Sequence, residues 1–129
     1  MRFSHTSLTV GDLDRSIEFY TKVLGLEFER RRRIEENRAT IAFVRDPSSG
    51  ARIELTHWDD KGPIDPGDQL DHLAFEVEDV AESVARARAA GVRVAKEPFR
   101  LAGGSGWLAF LLDPDDVWIE LIERRPGAG

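Results

Sequence analysis

Apolar and polar positions alternate from the start of this chain. Thr6, Leu8 and Val10 fall on one face of a period-two pattern, with His5, Ser7 and Thr9 on the other. That is the pattern of a half-buried strand. Asp12 then offers an N-cap, and Asp14 sits in the first helical turn, where negative charge is favoured. Leu13, Ile17, Tyr20 and Leu24 recur at helical spacing, and Gly25 marks the stop. Residues 27–35 read as a polar strand. Residues 39–44 read as an apolar strand, paired with 51–56 across the turn chemistry of Asp46-Pro47-Ser48-Ser49-Gly50.

An irregular stretch with two prolines and two glycines, 57–69, separates this first half from a second with the same order. Leu73, Phe75 and Val77 alternate with His72, Ala74 and Glu76. Asp79 and Glu82 resemble a capping box. Val80, Val84, Ala87 and Ala90 share a helical face that Gly91 ends. A short strand at 93–97, a glycine-rich loop at 101–106, a strand at 107–112, a turn at 113–116 and a last strand at 117–122 follow. The glycine-rich loop does not lead from a strand into a helix, which argues against a phosphate loop.

Each half opens near a histidine and closes on a strand with one glutamate among apolar residues. His72 follows His5 by 67 residues, and Glu120 follows Glu54 by 66. A near-constant offset of that length marks one supersecondary unit repeated. The expectation is an α+β fold of two tandem βαβββ modules, about 1–57 and about 71–123. A linker at about 58–70 joins them, and the whole of 1–129 forms one domain with curled mixed sheets around a cleft.

A lone histidine on a strand is more often a hydrogen-bonded strand residue than a ligand, and a lone glutamate is more often solvated. The duplicated pairing changes that reading. Parity sets Glu54 opposite Ile53 and Leu55, and Glu120 opposite Ile119 and Leu121, on strands expected to lie inside each sheet. A carboxylate there is costly unless paired or bound to a metal. Two imidazoles and two carboxylates suit Zn²⁺, Ni²⁺, Co²⁺, Mn²⁺ or Fe²⁺ with open positions left over. His5, Glu54, His72 and Glu120 are therefore the candidate metal ligands. His57 has the opposite parity to Glu54 and no counterpart in the second half, so it is left out.

Composition narrows the field. Of 129 residues 41% are apolar, enough for a packed core, and the 33% that are charged are mixed in sign. The net charge of −6 argues against nucleic acid as the main partner. The absence of cysteine removes disulfides, thiolate ligands and cysteine nucleophiles. Without an apolar signal core or a run of membrane-spanning length, the expectation is a cytoplasmic protein with no membrane partner. The tail at 124–129 reads as frayed. Arg30, Arg31, Arg32 and Arg33 read first as a solvated strand and second as a holder for an anionic substrate group. Trp58 and Asp60 in the linker are candidates for lying near substrate.

Several of these stretches resemble one family. They are His5-Thr6 with Val10-Gly11-Asp12-Leu13 and Arg15-Ser16-Ile17, Phe19 to Gly25, Ile53-Glu54-Leu55-Thr56, Asp71-His72-Leu73-Ala74, and Asp113-Pro114 leading to Ile119-Glu120-Leu121-Ile122-Glu123. The chain resembles the vicinal oxygen chelate superfamily, with its glyoxalase/bleomycin resistance/dioxygenase fold, and most of all bacterial glyoxalase I. The resemblance runs nearly end to end and fills all four metal positions.

It implies a small-molecule substrate, the hemithioacetal of a 2-oxoaldehyde such as methylglyoxal and a thiol. The product would be a 2-hydroxyacyl thioester, reached through a metal-stabilised enediolate. It also implies Glu120 as the base, Glu54 as its partner, and a homodimer sharing the site between chains. The departures concern the thiol. Thr9 stands where an arginine binds the glutathione carboxylate, an asparagine is missing after Thr56, and Leu101-Ala102 replaces an expected lysine. Another metalloenzyme of the superfamily, an epimerase or a dioxygenase, and a metal-free binder with walls of Trp107, Trp118 and Phe110 are the competing readings.

Overall fold

β1 (Thr6–Thr9) forms where the first alternation places it, so His5 stands one residue before the strand. In the computed structural model residues 1–102 and 106–124 are described. The core of the glycine-rich loop, 103–105, and most of the tail, 125–129, lie outside the described residues. The chain divides into two compact units, Met1–Asp65 and Pro66–Gly129.

The first unit holds β1, α1 (Leu13–Glu18), β2 (Glu27–Ile34), β3 (Ala39–Arg45) and β4 (Arg52–Trp58). Its sheet runs β1-β4-β3-β2, with β1 parallel to β4 and the other pairs antiparallel. Asp12 caps α1, its carboxylate accepting from the Arg15 N–H at 3.1 Å. The helix expected to run to Gly25 is α-helical only to Glu18; Phe19–Val23 widens into a π turn. The Thr21 hydroxyl donates to the Ile17 carbonyl at 2.7 Å, a local bond that competes with the helical ladder. The wider turn buries Phe19 beside Tyr20, whereas Ile17 and Leu24 are only half-buried.

Leu8, Val10, Ala42, Val44 and Leu55 form the buried side of this sheet. Leu55 sits across from Leu8 and from Ala42 and is wholly buried. Leu55→Ala removes a full side chain from a close-packed position, so we expect a loss of about 2–5 kcal/mol in urea unfolding. A loss below about 1 kcal/mol would mean that Leu55 is not part of a tight core.

β2 is an exposed edge with arginines on both faces. Arg31 pairs with Asp14, Arg33 with Glu35 and Asp59, and Arg30 lies over the Phe43 ring. β4 runs past the expected end at 56, with His57 across from Thr40 and Trp58 across from Ala39. Two contacts hold that extension. Arg33 grips Asp59 through both oxygens at 2.5 and 2.6 Å, and the Asp59 N–H donates to the Arg38 carbonyl at 2.9 Å. The guanidinium keeps the Asp59 carboxyl below the usual carboxylate range.

The second unit holds β5 (Leu73–Val77), α2 (Val80–Ala89), β6 (Val94–Arg100), β7 (Trp107–Leu112) and β8 (Trp118–Glu123). Its order, β5-β8-β7-β6 with β5 parallel to β8, repeats that of the first. Asp79 caps α2 by accepting from the Glu82 N–H at 2.9 Å. The reciprocal half of the expected capping box is replaced by an ion pair, Glu82 to Arg86 at 2.5 Å. Val80, Val84 and Ala87 are buried, but Ala90 is exposed at the cap where Gly91 takes a positive φ of 81°.

β6 is longer than the strand read at 93–97 and continues through Pro98. It is an edge strand with register shifts, where a missing N–H is tolerated. Asp113 is buried and accepts from the Asp115 and Val117 N–H groups, both at 2.8 Å, which closes the turn into β8. Among the described residues no helix is long and apolar enough to cross a membrane.

Candidate metal centre

Glu54 lies on β4 and Glu120 on β8, each the second strand of its four. In the first unit the sheet register lines up Ser7, Glu54, Phe43 and Arg30 across four strands. In the second it lines up Ala74, Glu120, Phe110 and Lys96. The repeat seen as a sequence offset is thus a repeat of sheet positions.

His5 comes off the end of β1 and sets Nε2 at 3.8 Å from the Glu54 carboxylate. Its Nδ1 lies 2.7 Å from the Ser4 hydroxyl, and its ring meets Phe43 edge-on at 5.0 Å. His72 comes off the end of β5 and sets Nε2 at 3.6 Å from the Glu120 carboxylate. Its Nδ1 lies 2.8 Å from the Asp71 carboxylate, and its ring meets Phe110 edge-on at 5.8 Å. The four residues singled out in the sequence therefore form two pairs, one in each unit. Among the described residues no group of three or more histidines, acids or cysteines is arranged so that it could hold a metal ion.

Each pair presents one imidazole nitrogen and one carboxylate oxygen, with the far ring nitrogen already fixed by a neighbour. That orients each ring, and the Asp71 carboxylate, which can only accept, also selects the His72 tautomer that leaves Nε2 as a ligand. The donor chemistry fits a divalent ion of the borderline class. Two donors are fewer than the three or four a resident ion takes from a protein, so neither pair suffices alone.

The pairs are not copies of one another. Glu54 accepts from the Ser7 hydroxyl at 3.0 Å and from the Thr56 hydroxyl at 3.3 Å. The same positions around Glu120 hold Ala74 and Ile122, which have no side-chain donor. Sequence reasoning missed Ser7 and Thr56, although both share the parity of the metal candidates. It also missed Phe43 and Arg52, which lie on the same face. Arg52 sits over the Phe43 ring at 4.3 Å and pairs with Glu29 at 2.6 Å.

Of the remaining candidates, Trp58 keeps the strand parity of Glu54 four residues on, while His57 and Asp60 are engaged elsewhere. His57 sets Nδ1 at 3.1 Å from the Val10 carbonyl and pins two strand ends. Asp60 pairs with Arg38 at 2.9 Å, while Trp58 ends β4, partly exposed. Trp107, read as a wall beside Phe110, belongs by parity to the opposite face with Ala109 and Leu111, and Arg100 lies over its ring.

The sequence model of the Glyoxalase/Bleomycin resistance protein/Dioxygenase superfamily matches residues 2–121. The chain belongs to that superfamily. Among its relatives is the lactoylglutathione lyase of Neisseria meningitidis, 39% identical over 98% of this chain and 94% of that one. Glyoxalase I from Zea mays superposes with a TM-score of 0.84 and 32% identity over 95% of this chain. This chain spans only 44% of the maize chain. The trypanothione-dependent glyoxalase I of Leishmania major superposes with a TM-score of 0.79 and 35% identity, over 95% of this chain and 86% of that one. The superfamily and the paired mixed-sheet architecture expected from the sequence stand.

Proposed function

We propose that this chain is a metal-dependent lyase of the glyoxalase I kind, turning the hemithioacetal of a 2-oxoaldehyde and a thiol into a 2-hydroxyacyl thioester. The observation that carries the reading is the pair of His–Glu couples, 3.8 and 3.6 Å across, at equivalent sheet positions. His5, Glu54, His72 and Glu120 together supply the donor count that one ion needs. A homodimer, with one couple from each of two protomers, meets that count. Four nitrogen and oxygen donors without a thiolate suit Ni²⁺, Co²⁺ or Zn²⁺, with Mn²⁺ or Fe²⁺ as further candidates. A divalent ion in that set would act as a Lewis acid on the substrate carbonyl.

The proton moves through the chain's own carboxylates. Glu120 lacks the two hydroxyl donors that hold Glu54, so its carboxylate is the less restrained of the two and the better suited to move toward substrate. It takes the proton from C1, which bears the sulfur, and leaves an enediolate. It then returns a proton to C2, the former ketone carbon. The C1–H bond breaks and a C2–H bond forms, and the C1 hydroxyl gives up its proton as the C2 oxygen gains one, with no other reactant consumed. Glu54 is held by Ser7 and Thr56 and keeps its place on the other side of the substrate.

The thiol differs among the relatives: one name carries lactoylglutathione, a thioester of glutathione, and another trypanothione. Glutathione is a cytosolic thiol, which agrees with a cytoplasmic enzyme. A two-histidine, one-carboxylate dioxygenase has no use for a fourth ligand. A metal-free binder has no use for any of the four.

The test is to strip the protein with chelator and reload it separately with Ni²⁺, Co²⁺, Zn²⁺ and Mn²⁺. Thioester formation is then followed from methylglyoxal with glutathione and with trypanothione. We expect turnover only in the reloaded samples. Stoichiometric metal with no turnover on either thiol would discard the lyase in favour of an epimerase. No metal binding at all would leave the binder.

A further inference from the structure

Resting on that reading, we propose that Arg52, with Arg30 beside it, is a carboxylate-recognising site next to the His5–Glu54 couple, and that the favoured 2-oxoaldehyde carries an acid on a short chain from C2. Three groups border one phenyl ring on β3. Arg52 Cζ lies 4.3 Å from the Phe43 centroid, Arg30 Cζ 4.9 Å and the His5 ring 5.0 Å. Together they leave Phe43 only 3% exposed. Two guanidinium groups are thus held against the same ring as a proposed metal ligand. A ring face holds a guanidinium without using up its N–H donors.

Charge on this face does not cancel. Arg52 bonds Glu29 through Nε at 3.0 Å and Nη2 at 2.6 Å, both to one carboxylate oxygen. Its Nη1 makes no hydrogen bond among the described residues. Arg45, across from Arg52, has Glu27 on its other side. Arg30, and Arg32 as the next residue on the same face, have no carboxylate within ion-pair distance among the described residues. With Glu54 engaged by a metal ion, the face keeps an excess of positive charge and unengaged N–H donors.

The second unit shows that the fold does not need a cation here. Trp118 stands two residues before Glu120, as Arg52 stands two residues before Glu54. It packs against Phe110, the counterpart of Phe43. Lys96, the counterpart of Arg30, lies over Phe99 instead, 4.0 Å from its centroid. Only 27% of the Arg52 side chain is exposed. Holding a charge that far from water is costly, and an apolar side chain would cover the ring without that cost. An anionic substrate group offsets it by taking the unengaged N–H groups in charge-assisted hydrogen bonds.

Reach favours the aldehyde as the carrier of that group. The reacting oxygens are those on C1 and C2, and His5 and Glu54 are donors to the ion that polarises them. A guanidinium sharing a ring with His5 is therefore within a short chain's length of C2. The carboxylates of glutathione are further off, beyond the sulfur and a peptide bond.

The experiment compares kcat/KM for the hemithioacetals of 4,5-dioxopentanoate and 2-oxopentanal in the metal-loaded protein. These aldehydes have equal chain length, with and without a terminal acid. We expect the acid to be favoured by about 10–100-fold, the strength of a hydrogen bond between charged groups. Arg52→Met keeps an unbranched side chain over Phe43 and should bring the ratio near to one. Arg52→Lys should restore part of it. Glu29→Gln should raise it, because the guanidinium loses its internal competitor. Circular dichroism verifies that the variants fold. An ion pair that served packing alone would lower stability in Arg52→Met and Glu29→Gln alike and leave the ratio unmoved, which would overturn the proposal. So would an Arg52→Met effect that follows the thiol, changing the ratio between glutathione and 2-mercaptoethanol but not that between the two aldehydes.

A second readout does not need turnover. The protein as purified is titrated with 2-hydroxyglutarate and 2-hydroxypentanoate by calorimetry. Tighter binding of the diacid that disappears in Arg52→Met supports the site even if no hemithioacetal is turned over and the lyase reading fails. No preference for the diacid overturns it even if 2-oxopentanal is turned over.

Discussion

Glu120→Gln is expected to lower kcat by about 10²–10⁴-fold, the range a positioned general base supplies, while melting at the parent's temperature. Glutamine keeps the shape of the side chain and an oxygen donor, and Glu120 is not wedged into the core; Ile119 and Leu121 on either side are what β8 buries. The variant loses the ability to carry a proton between two carbons, and because Glu120 is also a proposed metal ligand the comparison is made on metal-saturated protein. Glu54→Gln makes the informative contrast. Its oxygen accepts from the Ser7 and Thr56 hydroxyls, and an amide oxygen accepts such bonds too, so the side chain stays in place. We expect a smaller fall in kcat there, with the larger part of the loss in metal affinity. Single-turnover kinetics on metal-saturated protein separates the two effects. Equal falls in both variants would mean that the carboxylates share the proton transfer. A larger fall in Glu54→Gln would reverse the assignment of the base.

Much of this arrangement was legible in the sequence because period-two alternation fixes parity, and parity fixes which residues share a face. His5, Ser7 and Thr9 could be placed together, and Glu54 opposite Leu55, before any pairing was known. The Gly25 and Gly91 stops were legible too, each taking a positive φ. What failed to show was whatever depends on a partner distant in sequence. The π turn at Phe19–Val23 depends on Thr21 bonding backward to Ile17, a competition that helical spacing does not reveal. The extension of β4 to Trp58 depends on Arg33 reaching Asp59 across 26 residues. β6 passes through Pro98 because it is an edge, and edge position is a property of the sheet order. Arg52 escaped notice because a lone arginine between a turn and a glutamate carries no signal until Phe43 is seen beneath it. Trp107 was assigned to the wrong wall because it was grouped by residue type instead of by parity with Phe110.

His72→Ala should weaken metal binding by more than about 100-fold, read by competition with a chelator of known affinity. Removing an outer partner of a ligand costs about 10–100-fold, and losing the ligand itself must cost more. Asp71→Ala provides that outer comparison. The Asp71 carboxylate lies 2.8 Å from His72 Nδ1, so it holds the ring in orientation through a charge-assisted hydrogen bond. His5 has the Ser4 hydroxyl in the same place, a neutral partner that does less for the ring it holds. Asp71→Ala should therefore weaken binding more than Ser4→Ala. His57→Ala should leave it unchanged, because that ring is engaged by the Val10 carbonyl. If the order were reversed, with His57→Ala weakening binding and His72→Ala not, the ion would be held elsewhere. The duplicated His–Glu couples would then be hydrogen-bonded strand residues and nothing more. If His72→Ala and His5→Ala each abolish stoichiometric binding, neither couple suffices without the other, as the donor count of each unit requires.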